Sequence, residues 1–234
     1  MGKNFYEAVA DSRLNKTNVF LRIFRDIFYA ISIIAIAVLG VLNTTIVYKY
    51  AINKYELNNY TGLSTEVLMD NYKRIVHYVG NPFSKELILN SLTMSNLGKI
   101  HFIEVKQIFS VLYIISIIFI SIMVCKIITG RNKGLGKKLI ESFNNSVNII
   151  ALVFIFVSIM AVIDFSKTFY FFHKLFFRND YWIFDPVTDP IINALPEELF
   201  MLELILVIGL LIIFTVVIKV LYLKNTLIIS KKSS

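Results

Sequence analysis

Four stretches of the chain are apolar almost without interruption, and the polar positions gather between them. Residues 27–47, 108–128, 147–163 and 202–222 each come close to the roughly 20 mainly apolar residues that a helix needs to cross the hydrocarbon core. They predict four transmembrane helices, and no other stretch is long or apolar enough to add a fifth. The first run exceeds the roughly 7–15 apolar residues of a signal-peptide core. No small-residue cleavage site follows it, so a retained helix is expected. No internal repeat, low-complexity tract or linker divides residues 1–234, which predicts a single membrane domain. The expected fold is therefore an all-α integral membrane protein.

The connections carry helical patterns of their own. In residues 65–78, Val67, Leu68, Tyr72, Ile75 and Val76 fall on or near one helical face, with Val79 just beyond, and Gly80-Asn81-Pro82 ends the helix by turn chemistry. Residues 85–94 fit a short strand or a half-buried helix equally well. Ser95-Asn96 looks like an N-cap, from which a helix should run through His101 and Glu104 straight into the second span. Asp189-Pro190 looks like the N-cap and first residue of a short helix. Pro196 with Glu197 and Glu198 looks like the first turn of the last helix, where acids suit the helix dipole.

Hydrophobic residues make up 56% of the chain and the mean hydropathy is +0.68, which places it among membrane proteins. Orientation follows from Lys and Arg near the span ends. The amino-terminal arm (Lys3, Arg13, Lys16, Arg22, Arg25), the second connection (Lys126, Arg131, Lys133, Lys137, Lys138) and the tail (Lys219, Lys224, Lys231, Lys232) are basic. The third connection has only Lys167, Lys174 and Arg178 against six acids. Both termini are therefore expected in the cytoplasm. Segments 48–107 and 164–201 should lie outside the cell membrane as a small cap. The net charge of +8 then belongs to the cytoplasmic face, where anionic lipid attracts it, and no nucleic-acid partner is implied. The single Cys125 lies within a span and reads as packing. The glycine-rich turn 130–138 mimics a phosphate loop, but its spacing is wrong by one residue and no strand precedes it.

Side chains able to do chemistry concentrate after the third span. The segment around Tyr170 to Glu198 holds the only Trp, three of the four Pro and His173, and residues 165–177 carry eight aromatic rings if His173 is counted. Such rings favour the membrane–water interface. His101 stands about 10 Å above the second span if helical, and His173 about 15 Å beyond the third. Those spans are joined by a short connection, so they are expected to be antiparallel neighbours that bring both imidazoles to the same outer side. In His101-x-x-Glu104 the carboxylate shares a face with the imidazole. It either orients the base, as a third group does in triad-like sites, or begins a metal site. A metal would need His173, Asp180, Asp185 or His77 as further ligands. His77, beside Arg74 and Tyr78, reads as a solvated surface histidine. Arg178-Asn179-Asp180 and Asp185-Pro186 are turn formers, though an interfacial arginine also suits an oxyanion or ester oxygen. No G-x-S-x-G elbow supports a serine nucleophile.

The succession His101-Phe-Ile-Glu-Val-Lys106, Phe172-His-Lys-Leu-Phe-Phe-Arg-Asn-Asp-Tyr-Trp182, Asp185-Pro186, Asp189 and Pro196-Glu197 resembles the lipoprotein intramolecular transacylase (Lit) family. The four-span layout with two external segments is similar too, so the resemblance covers nearly the whole chain. The family's first motif commonly has Asp where this chain has Glu104, which keeps the charge and lengthens the arm. The resemblance implies a lipoprotein substrate whose amino-terminal cysteine carries an S-diacylglyceryl group and a free α-amine. The sn-2 acyl chain would move to that amine, giving an N-acyl, S-monoacylglyceryl (lyso) lipoprotein. An ester becomes an amide within one molecule, so no cofactor is expected, and the only further partner is membrane lipid.

On this reading His101 and His173 flank the reacting carbonyl, with His173 favoured as base because its surroundings are the more apolar. Glu104 orients His101. Arg178, Asn179, Trp182 and Asp185 bind substrate, and the aromatic collar from Phe169 to Phe184 seats the acyl chains. Two rivals remain: a non-enzymatic membrane scaffold or sensor, and a metal-dependent membrane hydrolase.

Overall fold

A computed structural model describes the backbone of residues 2–129 and 133–233, and the side chains of residues 18–129 and 136–227. The turn 130–138 thus falls partly outside the described residues. Among these residues the chain is all helix and loop: α1 Gly2–Leu42, α2 Thr45–Lys54, α3 Leu57–Thr61, α4 Thr65–Gly80, α5 Asn96–Thr129, α6 Lys133–Ile163, α7 Phe165–Phe176, α8 Ile191–Ala194 and α9 Glu197–Ser233. Four segments are long and apolar enough to cross a membrane: Asn18–Leu42, Asn96–Thr129, Gly136–Ile163 and Glu197–Leu227.

α1 is the central helix. Half of its most apolar window is buried, against 11% for α5 and 17% for α6 and α9. Its buried positions include the small residues Ala30, Ser32, Ala35 and Ala37, which let neighbouring helices approach closely. α1 packs along α5, α6 and α9, and α6 packs along α9. The expected direct pairing of the second and third spans is corrected here, because α5 and α6 have no comparable interface and α1 lies against both. Outward faces of α5, α6 and α9 present Ile114, Leu152, Ile155 and Ile213. Cys125 is exposed on α5 and is not a packing residue. Inside the bundle the buried Asp26 is paired with Arg25 at 2.9 Å and receives a hydrogen bond from Asn145 at 2.8 Å. Charge in such a setting is tolerated only when it is partnered.

The first span ends earlier than its hydropathy suggests. Asn43 Nδ2 donates to the Leu39 carbonyl at 2.7 Å, and Thr44 Oγ1 donates to the Gly40 carbonyl at 2.8 Å. These short side chains satisfy the last carbonyls of α1 and stop it, so Thr45 begins a separate helix. α4 matches the expected amphipathic helix, with Leu68, Tyr72, Ile75, Tyr78 and Val79 buried. Its Tyr72 ring stacks on Tyr48 at 4.2 Å, and the Tyr48 hydroxyl donates to the Ala194 carbonyl at 2.9 Å, joining α2, α4 and α8 into one cap core. Residues 85–94 are neither strand nor helix. Asn71 serves as their partner instead, donating to the Asn90 carbonyl at 2.8 Å and accepting from the Asn90 amide at 2.5 Å.

Asp189 does not cap the short helix that follows it. α8 has Pro190 at its cap, and the buried Asp189 carboxylate reaches across to α5. It accepts from the Ser95 amide at 2.7 Å and from Thr188 Oγ1 at 2.8 Å. A 34-residue helix offers a stronger positive end than a four-residue one, so the carboxylate belongs there. Ser95 Oγ accepts from the Gly98 amide at 3.0 Å, the expected cap. A Cβ at Gly98 would overlap the Asp189 carboxylate.

Asp189→Ala should therefore lower stability by about 1–3 kcal/mol, since it leaves the part-buried Ser95 amide without its partner. Gly98→Val should cost at least as much. Thermal unfolding in detergent checks both, and an unchanged midpoint for either would show that this fastening is unimportant.

Candidate active site

His101 and His173 meet at the cap end of the bundle. Their ring centroids are 6.1 Å apart and the ring planes are inclined by 35°. His101 lies in the second turn of α5. His173 arrives by a break in the chain: Asp164 is extended between α6 and α7, with φ −160° and ψ 98°, and its carboxylate accepts from the Lys167 amide at 2.9 Å. That cap restarts the helix as α7, which packs on α6 and α9. α7 buries no residue fully and exposes Tyr170, Phe171, Phe172, Leu175 and Phe176. A short helix with such an outward face is suited to lying in the membrane interface.

The His173 ring is fixed on several sides. Nδ1 lies 2.8 Å from the Phe169 carbonyl, which can only accept, so Nδ1 carries the hydrogen and the neutral ring keeps its lone pair on Nε2. Phe169 is 4.2 Å away, and Trp182 stacks on the ring at 4.6 Å and 28°. Burial among these rings holds the imidazole pKa below its ordinary 6.5, against smaller opposing effects of the Phe169 carbonyl and the Glu197 charge.

His101 is the more deeply buried of the two, only 7% exposed. Phe177 and Phe184 meet its ring edge-on at 4.7 Å and 5.5 Å. Its Nδ1 is buried with no hydrogen-bond partner among the described residues. The expectation that His173 has the more apolar surroundings is thus reversed. What sets His173 apart is the tautomer enforced by Phe169.

Glu104 does not orient His101. One carboxylate oxygen, Oε1, accepts from Asn179 Nδ2 at 2.7 Å, and the other, Oε2, is buried without a partner among the described residues. The Glu104 side chain is turned to the amide of the loop 177–190 instead of to the imidazole one turn before it. Asn179 is a junction: its Oδ1 accepts from the Tyr181 amide and its carbonyl from Trp182 Nε1, both at 3.1 Å. Asn179 and Trp182 are therefore struts that join α5 to the ring stacked on His173. Arg178 is exposed, and no hydrogen bond or ion pair engages its side chain among the described residues. Asp185 is exposed and closes its own turn, accepting from the Val187 amide at 2.9 Å, so it makes no contact with the histidine pair.

The further metal ligands do not converge. Asp180 pairs with Lys174, His77 is exposed on α4, and no three His, Cys, Asp or Glu side chains cluster among the described residues. Sequence reasoning did not single out Phe177 and Phe184 as walls of the His101 pocket, or Phe169 as the partner of His173. The spacing Phe169, His173, Phe177 places three rings on one helical face and was the available signal.

Imidazole nitrogen NMR on the folded protein should find neutral His173 as the Nδ1–H tautomer, with a protonation midpoint below 6.5. The sign also bears on stability. A histidine whose folded pKa is depressed is fully stabilising above pH 6.5 and loses that contribution as the pH falls toward the folded pKa. Acidification should therefore destabilise the wild type more than His173→Gln. A midpoint at or above the ordinary value would remove the basis for both expectations.

This arrangement offers a neutral base beside a second imidazole, enclosed by aromatic rings next to hydrocarbon, which suits acyl chemistry on a lipid. A family model described as "Lipoprotein intramolecular transacylase Lit" matches residues 23–200. No curated protein sequence matches significantly. Three solved structures of the membrane integral lipoprotein intramolecular transacylase Lit from Bacillus cereus are similar. One, at 26% identity, covers 94% of this chain and 100% of its own with a TM-score of 0.78. The other two carry substitutions of a histidine, by arginine or by alanine; both are 29% identical over 99% of this chain, with TM-scores of 0.72 and 0.69. The match spans most of the chain and the fold agrees along its length, so this multi-pass membrane protein belongs to the lipoprotein intramolecular transacylase (Lit) family and is an acyltransferase.

Proposed function

We propose that the histidine pair works at the outer leaflet, moving the sn-2 acyl chain of an S-diacylglyceryl cysteine onto the α-amine of that same cysteine. The observation that carries this reading is the 6.1 Å separation of two imidazoles, one of them with its Nε2 lone pair free. The outward placement is supported by charge: Lys126 and Lys219 lie toward the opposite ends of α5 and α9, as expected of a cytoplasmic face.

The α-ammonium, with an ordinary pKa near 8, first gives one proton to His173 Nε2, which releases it to water. The neutral nitrogen attacks the ester carbonyl and forms the C–N bond. A ring N–H of His101 meets the developing oxyanion. The nitrogen, now bonded to the carbonyl carbon, gives its second proton to the regenerated His173 Nε2, and the imidazolium passes that proton to the glyceryl oxygen as its bond to the carbonyl carbon breaks. Protons balance, and no cofactor enters because an ester is exchanged for a more stable amide. Donor and acceptor are on one molecule, so the protein mainly has to fold the substrate back on itself.

The exposed aromatic face of α7 and the collar from Phe169 to Phe184 suit the acyl chains. Of the side chains expected to hold the glyceryl region, Asn179 and Trp182 are engaged within the protein and Asp185 is turned into its loop. Arg178 is left for that role.

Purified protein mixed with a diacylglyceryl lipopeptide should convert it to a product of unchanged mass whose amine is blocked, read by mass spectrometry. His173→Gln should slow this by at least about 100-fold. Release of free fatty acid would favour the hydrolase, and an unaltered peptide would favour the scaffold.

A further inference from the structure

Among the described residues three buried side-chain polar atoms have no partner, and two of them, Glu104 Oε2 and His101 Nδ1, lie one turn apart on α5; the third is the Ser116 hydroxyl, farther along the same helix. Glu104 and His101 belong to a closed circuit of side chains. His101 faces His173, His173 stacks on Trp182, Trp182 donates to the Asn179 carbonyl, and Asn179 donates to Glu104. The circuit closes along α5, which carries both His101 and Glu104.

Holding Asn179 explains only one Glu104 oxygen. A glutamine would hold Asn179 equally well through its carbonyl and would bring no charge. A carboxylate in this position is costly unless a cation meets it. The nearby lysines are committed elsewhere: Lys174 pairs with Asp180, Lys99 with Glu86, and Lys106 donates to the Ser84 carbonyl and lies over the Tyr78 ring. Among the described residues no ion pair reaches Glu104.

We propose that Glu104 Oε2 and His101 Nδ1 together form the receptor for the α-ammonium group of the substrate cysteine. This rests on the acyl-transfer reading above and names the substrate group that Glu104 recognises. A primary ammonium carries three hydrogens. One goes to the carboxylate and one to His101 Nδ1, which fixes the His101 hydrogen on Nε2, where it can donate to the oxyanion. The third leaves as the proton taken by His173 Nε2, and the lone pair it vacates is the one that attacks the ester. On acylation a second hydrogen leaves as the proton that His173 carries to the glyceryl oxygen, and the nitrogen becomes a neutral amide with a single hydrogen. It loses the charged contact, so the site favours the free-amine substrate over the N-acyl product.

Binding to non-transferable ligands tests this apart from turnover. Two lipopeptides carry ether-linked alkyl chains in place of the esters, one with a free amine and one N-acetylated, and their affinities for the detergent-solubilised full chain are measured at pH 7. The wild type should bind the free amine at least roughly tenfold more tightly, as a charge-assisted contact implies. In Glu104→Gln that preference should fall to within about twofold of unity, while affinity for the N-acetylated ligand stays at the wild-type level, showing an intact fold. Equal affinities in the wild type, or a preference that survives in Glu104→Gln, overturn the proposal. Failure of the wild type to transfer acyl from the ester lipopeptide would instead overturn the reading on which it rests.

Discussion

Irregular backbone at the edge of a membrane must find its hydrogen bonds within the protein, because hydrocarbon supplies none. At the cap end of this bundle short polar side chains meet that constraint together with the backbone bonds of the turns. Asn43 and Thr44 close α1, Asp164 restarts the chain as α7, Asn71 serves the loop before α5, and Asp189 receives the amide of Ser95, the cap of α5. Without these fastenings the breaks would be untenable, and without the breaks no helix would present His173 to His101.

Asn179 extends the same principle into the site. One side chain and its own carbonyl tie Glu104 on α5 to Trp182, whose indole lies against His173. Two imidazoles from distant parts of the chain are thereby held in one geometry by hydrogen bonds and ring stacking. Their charge-neutral character suits the location. Aromatic walls disfavour an imidazolium at His173, which suits its proposed part as a base that hands its proton on. Family membership gives the acyl transfer, and the mechanism proposed for it asks the histidine pair for orientation and proton traffic.

The central place of α1 changes how the site is understood. The histidines do not converge because their spans are adjacent; α5 and α6 lie against a common helix. His173 reaches His101 only because α7 leaves the line of α6 and packs over α9. The aromatic outward face of α7, the proposed seat of the acyl chains, is on the same element as the proposed base.

Much of this was legible in the chain itself. Four long apolar runs can only be satisfied by crossing a bilayer. The period of Leu68, Tyr72, Ile75 and Val79 dictates a helix with one buried face, and the histidine motifs carry the family likeness. Local patterns could not determine which oxygen of Glu104 meets which donor, that Asp189 would cap a helix 94 residues earlier in the chain, or that His101 would be buried more deeply than His173. Those outcomes depend on competition among partners that are close only after folding. Hydropathy and periodicity report how a residue relates to its neighbours along the chain, whereas a hydrogen bond goes to the donor that packing brings nearest.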